Sequence, residues 1–235
     1  MLLFYKYNLL FINMKKKELL AEFLGTFILV FAWTWAMIVD NLTGALWNVW
    51  IGLVFWLVIV VLVYTFWHIS WAHFNPAVTI WLSIAKKFDR SKAIDYITAQ
   101  ILWWIFASFV LYLIFLSDFS SFEEIWYMWA TLPRWSVLQS FILEFILTFI
   151  LLIVIYFTAI HKKAVKWFAG LAIGFTIWLE AIFAWPITGA SMNPARSIGP
   201  AFISFHFEHL WLYIVATILG AIIASLLYRW FEKWE

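Results

Sequence analysis

Six stretches of the chain, near 17–37, 48–68, 93–115, 136–160, 167–185 and 210–229, are almost wholly apolar. Each is long enough to cross a bilayer as a helix, which takes about 20 residues. Composition leaves no other solvent: 66% of the 235 residues are hydrophobic and 12% are charged, against about 25% charged in a soluble domain. The mean hydropathy is +0.95. Only helices and closed barrels satisfy their own backbone in lipid. The prediction is an all-α membrane protein with six transmembrane helices.

Charge gives the orientation. Thirteen of the fifteen Lys and Arg fall in four groups: Lys6 with Lys15, Lys16 and Lys17; Lys86, Lys87, Arg90 and Lys92; Lys162, Lys163 and Lys166; Arg229 and Lys233. These groups precede the first span, join the second to the third and the fourth to the fifth, and follow the sixth. All therefore lie on one side, and the positive-inside rule makes it cytoplasmic. Asp40, Asp118, Glu123, Glu124 and Glu208 lie on the other side. The expected location is the cell membrane with both termini in the cytoplasm. The lysines are read as topology, not as a nucleic-acid surface.

Residues 1–14 form an apolar segment broken by Lys6 and Asn8, with no small-residue cleavage site. They read as a loose N-terminal extension, or as an early start with Met14 the true first residue. Residues 15–235 then form one domain.

That domain is a duplication. Ile69–Ile80 aligns with Ile187–Ile198, and Asn75-Pro76-Ala77 falls on Asn193-Pro194-Ala195, 118 residues later. Glu22-Phe23 aligns with Glu144-Phe145, Gly52 with Gly170, Tyr96 with Tyr213, and Ser108 with Ser225. The repeats run from about 15 to 115 and from 136 to 230. Each carries three spans, an odd number, so the second copy inserts upside down. Inverted repeats of this kind put the functional site near the bilayer midplane, at discontinuous helices.

Each Asn-Pro-Ala lies in a segment too short to span. Proline suits the first helical turn, and asparagine before it is a good N-cap. Each motif reads as a re-entrant half-helix with its N-terminus at the midplane. Inversion brings the two N-termini head to head, with partial positive charge at the centre. Asn75 and Asn193 offer N–H donors there. Water accepting from both would turn its protons outward, which opposes proton and cation passage. Arg196 follows the second motif directly, and a charge at that depth is functional by default.

The two motifs, the six spans and the arginine resemble the aquaporin, or major intrinsic protein, family. His73-Phe74-Asn75-Pro76-Ala77-Val78-Thr79 and Gly189-Ala190-Ser191-Met192-Asn193-Pro194-Ala195-Arg196-Ser197 carry the likeness, which extends over residues 15 to 230. It implies a passive channel, a homotetramer with one pore per subunit, and an aromatic/arginine constriction at Phe55, Ala181, Ala190 and Arg196. Strict water channels of the family carry His at the position of Ala181. A small residue there resembles solute-permeable and nodulin-like members, although Ser197 stands where glycerol facilitators carry Asp. The expected cargo is water with small neutral solutes such as glycerol, ammonia or uncharged metalloid acids. The alternative is a non-conducting structural membrane protein on the same scaffold.

Glu22 and Glu144 are repeat equivalents inside the first and fourth spans. They read either as a proton relay or as acceptors for the backbone of the re-entrant loops. The resemblance implies the second role and groups His73 and Gln100 with it. Glu180 could line the pore or face another helix. With no cysteine, no metal-ligand spacing and no nucleophile–base pair, neither an enzyme, a metal site nor a cofactor is expected. Secondary active transport would want ionisable pore residues beyond Arg196, and Glu180 alone is a candidate.

Nineteen Trp against eight Gly is the wrong balance for helices that pack through small residues. The repeat shows where. Trp56 aligns with Gly174, Trp71 with Gly189, Trp81 with Gly199, and Trp103 with Gly220. The family resemblance implies glycine at Trp33, Trp35, Trp67, Trp104 and Trp185 as well. Some bacteria read UGA as glycine, and writing UGA as tryptophan would produce this pattern. The alternative is a genuinely Trp-rich chain. Trp211, at the start of the sixth span, fits an interfacial belt.

Overall fold

A computed structural model describes residues 2–118 and 129–234, with side chains from Lys15 onward. The chain folds into α1 (Leu2–Thr43), α2 (Asn48–Ser70), α3 (Pro76–Ile84), α4 (Arg90–Ile114), α5 (Val137–Ile155), α6 (Ala169–Thr188), α7 (Pro194–Ser204) and α8 (Leu210–Glu232). Six of these, α1, α2, α4, α5, α6 and α8, are long and apolar enough to cross a membrane. They fall where the apolar stretches predict. The first span runs past its expected end, to Thr43; the fourth reaches Ile160 as expected, its last turn, Tyr156–Ile160, being a π-turn. The expected loose extension is absorbed into α1, because no Gly or Pro separates Leu2 from Lys17 to stop the helix. Glu123 and Glu124 lie outside the described residues.

The inverted repeat is visible in the packing. The second helices of the two halves, α2 and α6, pack on one another, while α1 packs on α2 and α4, and α5 on α6 and α8. Each half-helix crosses to the other half: α3 rests on α8, and α7 on α4. Local chemistry fixes the termini. Asn75 caps α3 by accepting from Ala77 N, and Asn193 caps α7 by accepting from Ala195 and Arg196 N, each with proline in the first turn. Ser136 and Gln139 close a capping box on α5, which satisfies two otherwise orphaned donors. Asp89 caps α4, and the bond from Ser91 N holds its carboxyl below the usual carboxylate range.

Glycine works at the helix crossings. A Cβ on Gly220 of α8 would sit 2.6 Å from the Phe145 carbonyl oxygen of α5, and one on Gly199 of α7 would sit 3.0 Å from the Trp104 backbone of α4. The tryptophans form two populations. Trp47, Trp135, Trp167, Trp211, Trp230 and Trp234 are exposed at helix ends, as an interfacial belt requires. Others lie deep in the bundle. Trp81 and Trp104 are fully buried, with indole N–H groups that have no acceptor among the described residues.

Candidate functional site

The two re-entrant loops are built from residues in positive-φ backbone, matched position by position. Trp71 (φ 66°), Ala72 (49°) and Phe74 (47°) in the first correspond to Gly189 (79°), Ala190 (42°) and Met192 (52°) in the second. Left-handed backbone is costly for residues with a Cβ, on the order of 1 kcal/mol or more each. What holds it is a pair of buried carboxylates. Glu22 accepts from Ser70 Oγ at 2.7 Å, His73 N at 2.9 Å, Phe74 N at 2.8 Å and Gln100 Nε2 at 2.8 Å. Glu144 accepts from Thr188 Oγ1 at 2.6 Å, Ser191 N at 2.8 Å and Met192 N at 2.9 Å. Loop N–H groups that neither helix could satisfy thus find an acceptor inside the membrane, where an unpaired group costs several kcal/mol.

The symmetry extends outward. His73 Nδ1 lies 3.0 Å from Thr79 Oγ1, and Ser191 Oγ lies 2.7 Å from Ser197 Oγ. Tyr96 donates to the Ser70 carbonyl at 3.3 Å, and Tyr213 to the Thr188 carbonyl at 2.8 Å. Ser70, Thr188, Thr79 and Tyr213 join His73, Gln100 and the two glutamates in this network, beyond the residues expected from the sequence. Their equivalence in the repeat was the signal available.

The two motifs meet. Asn75 Nδ2 donates to the Met192 carbonyl at 2.8 Å, and Asn193 Nδ2 donates to the Phe74 carbonyl at 3.0 Å. An amide nitrogen carries two hydrogens, so one on each asparagine remains for a solute. Both asparagines line an internal cavity of about 50 Å³. It continues past Val78, Ile173 and Ile177 to Ile160, towards the loops that carry the lysine groups. An apolar wall with a few convergent polar groups is the pattern of a small-molecule site.

The family model described as major intrinsic protein matches residues 11–228. The chain belongs to the major intrinsic protein family. This major intrinsic protein is 42% identical to nodulin-26 of Glycine max over 214 residues, covering 91% of this chain and 77% of that one. It is 41% identical to aquaporin NIP1-2 of Arabidopsis thaliana over 223 residues, covering 91% and 73%. Among solved structures it resembles the aquaglyceroporin from Plasmodium falciparum, with a TM-score of 0.80 and 27% identity over 92% of this chain and 96% of that one.

The four residues of the expected constriction come from four places in this major intrinsic protein: Phe55 from α2, Ala181 from α6, Ala190 from the second loop and Arg196 from the first turn of α7. All are buried. Phe55, Ala181 and Ala190 belong to one continuous apolar cluster, which also holds Trp33 and Trp185. The Arg196 guanidinium stands 5.5 Å from the Trp33 ring and 5.4 Å from the Trp185 ring. Glu180 is absent from the cavity lining. It follows Thr176 and precedes Ala184 and Thr188 on one helical stripe of α6, the stripe whose Thr188 bonds Glu144.

Proposed function

We propose that this chain is a passive channel for water and small neutral solutes, not an enzyme. The observation that carries this is the meeting of Asn75 and Asn193 at one cavity, each held by the opposite loop. Two half-helix N-termini face each other there. A passing oxygen accepts hydrogen bonds, and the positive ends disfavour cations and protons. Arg196 adds a fixed donor and a positive charge on the outer side. The named relatives, a nodulin and an aquaporin, and the aquaglyceroporin structure support the same chemistry.

The reading includes a homotetramer in the cell membrane with one pore per subunit and both termini in the cytoplasm. The clustering of Lys and Arg on one side supports the orientation. Apolar side chains exposed along the spans, such as Leu57, Leu102, Ile146, Leu179 and Ile223, suit lipid and neighbouring copies.

Stopped-flow shrinkage of proteoliposomes tests the channel. Water flux above that of empty vesicles, with no accompanying proton leak, is expected. Flux no greater than empty vesicles from every version of the chain would exclude it.

A further inference from the structure

We propose that positions 33 and 185 set the bore of the outer constriction: indoles there narrow it below the size of glycerol, and glycine, which the family resemblance implies at both, leaves it open. The proposal rests on the channel reading above. Trp33 of α1 is 3% exposed, and its ring centroid lies 3.8 Å from that of Phe55. Unstrained aromatic pairs sit at roughly 4.5–7 Å, so the two rings are pressed together. Trp185 meets Phe55 edge-on at 5.8 Å and also faces Arg134, at 6.0 Å, on the outer side. Both indoles lie within the range of a cation–π contact to Arg196, about 6 Å. Three aromatic rings and a guanidinium therefore converge where the small Ala181 and Ala190 alone would leave an opening. The cavity that starts at the cytoplasmic side reaches Trp33, and Phe55, Ala181, Trp185, Ala190 and Arg196 do not line it. Trp33 Nε1 and Arg196 Nη1 are both buried donors with no acceptor among the described residues. They are directed groups for a water oxygen at a passage too narrow for a carbon skeleton, since pore diameter and lining donors decide what passes.

The test compares the unsubstituted chain with Trp33→Gly/Trp185→Gly and Trp33→Ala/Trp185→Ala in proteoliposomes, reading water and glycerol flux separately. Glycerol entry should rise at least roughly tenfold in the glycine pair, a barrier change of about 1.4 kcal/mol, with the alanine pair between. Equal glycerol entry in all three, with water conducted, would overturn the role of the indoles and leave the channel standing. A folded glycine pair that passes neither water nor glycerol would overturn the channel reading itself.

A different set of observations carries a second inference: the structure assigns glycine to positions 56, 71, 81 and 103. Trp71 ends α2 in left-handed backbone, its N–H bonded to the Trp67 carbonyl at 3.0 Å. Its repeat equivalent Gly189 ends α6 in the same way, bonded to the Trp185 carbonyl at 3.1 Å. Glycine is the residue that this cap favours. Trp56 and Gly174, equivalents of one another, face each other across the α2–α6 crossing, and the Trp56 ring fills the space a Gly174 Cβ would need. Gly220 packs on the Phe145 backbone, while its equivalent Trp103 is driven against Phe23, the equivalent of Phe145, with ring centroids 3.4 Å apart. Gly199 packs beside Ser108, and its equivalent Trp81 lies under Ser225, the equivalent of Ser108. In the Gly220–Trp103 pair one member obeys the close approach and the other overfills it.

UGA codons read as glycine in the cell would produce this arrangement. Peptide masses of the protein from the cells that make it should show glycine at all four positions, and the gene should carry UGA there. Tryptophan masses, or UGG codons, at any of the four would overturn the inference.

Discussion

Asn75 and Asn193 each tie down the other's loop. The amide of Asn75 is bonded to the Met192 carbonyl at 2.8 Å and that of Asn193 to the Phe74 carbonyl at 3.0 Å, while each side-chain oxygen caps its own half-helix. The arrangement fixes both amide planes, so the remaining N–H of each has a set direction. Orientation of this kind, prepared before a solute arrives, is what makes a polar group selective in a water-scarce site.

Replacing Glu144 by Ala removes the acceptor of Thr188 Oγ1, Ser191 N and Met192 N. Leaving buried donors unpaired costs about 1–3 kcal/mol each. Loss of stability by several kcal/mol is expected, read as a fall in the unfolding midpoint in detergent. Glu144→Gln keeps one oxygen acceptor and should fall between. A midpoint unchanged in Glu144→Ala would show that the loop does not depend on this carboxyl.

Among the described residues the Arg196 guanidinium meets the Met37 sulfur at 3.8 Å and the two indoles. Arg196→Ala removes this positive charge. Proton leak, followed with a trapped pH dye, should rise while water flux is maintained. An unaltered proton leak would place proton exclusion wholly at the asparagines.

Gly220→Ala tests the α5–α8 crossing. Its new Cβ would lie 2.6 Å from a backbone oxygen, which a rigid helix cannot yield, and overpacking of this kind costs about 1–3 kcal/mol. Thermal unfolding should move down. Ala substitution at Gly44, whose added Cβ would meet no described residue within 4 Å and whose φ is +65°, should cost less, through backbone strain alone.

Trp71→Gly relieves a left-handed residue of its Cβ. The cap should gain on the order of 1 kcal/mol, and the unfolding midpoint should rise. Gly189→Trp, the reverse change at the equivalent cap, should lower it.

What the sequence by itself determined was the architecture and its symmetry. Apolar stretches of spanning length, an odd number per repeat and lysines on alternate connections leave one arrangement in a membrane, because lipid offers no partner to an open backbone. The Asn-Pro-Ala pairs, Arg196 and the Glu22–Glu144 equivalence were legible for the same reason: each is a polar group that must be answered inside the bilayer. The tertiary structure alone decided which atoms answer them. Nothing in the linear order says that Asn75 reaches Met192, since that bond spans 117 residues and exists only when the inverted halves interlock. The same holds at the constriction. Trp33 reads as one of two odd tryptophans in the first span, and only the packing of α1 against α2 presses it onto Phe55 and sets it beside Arg196. Glu180 likewise could not be placed from its neighbours, because a shift of one residue on a helix turns a side chain by about 100°, enough to separate a pore wall from a helix interface.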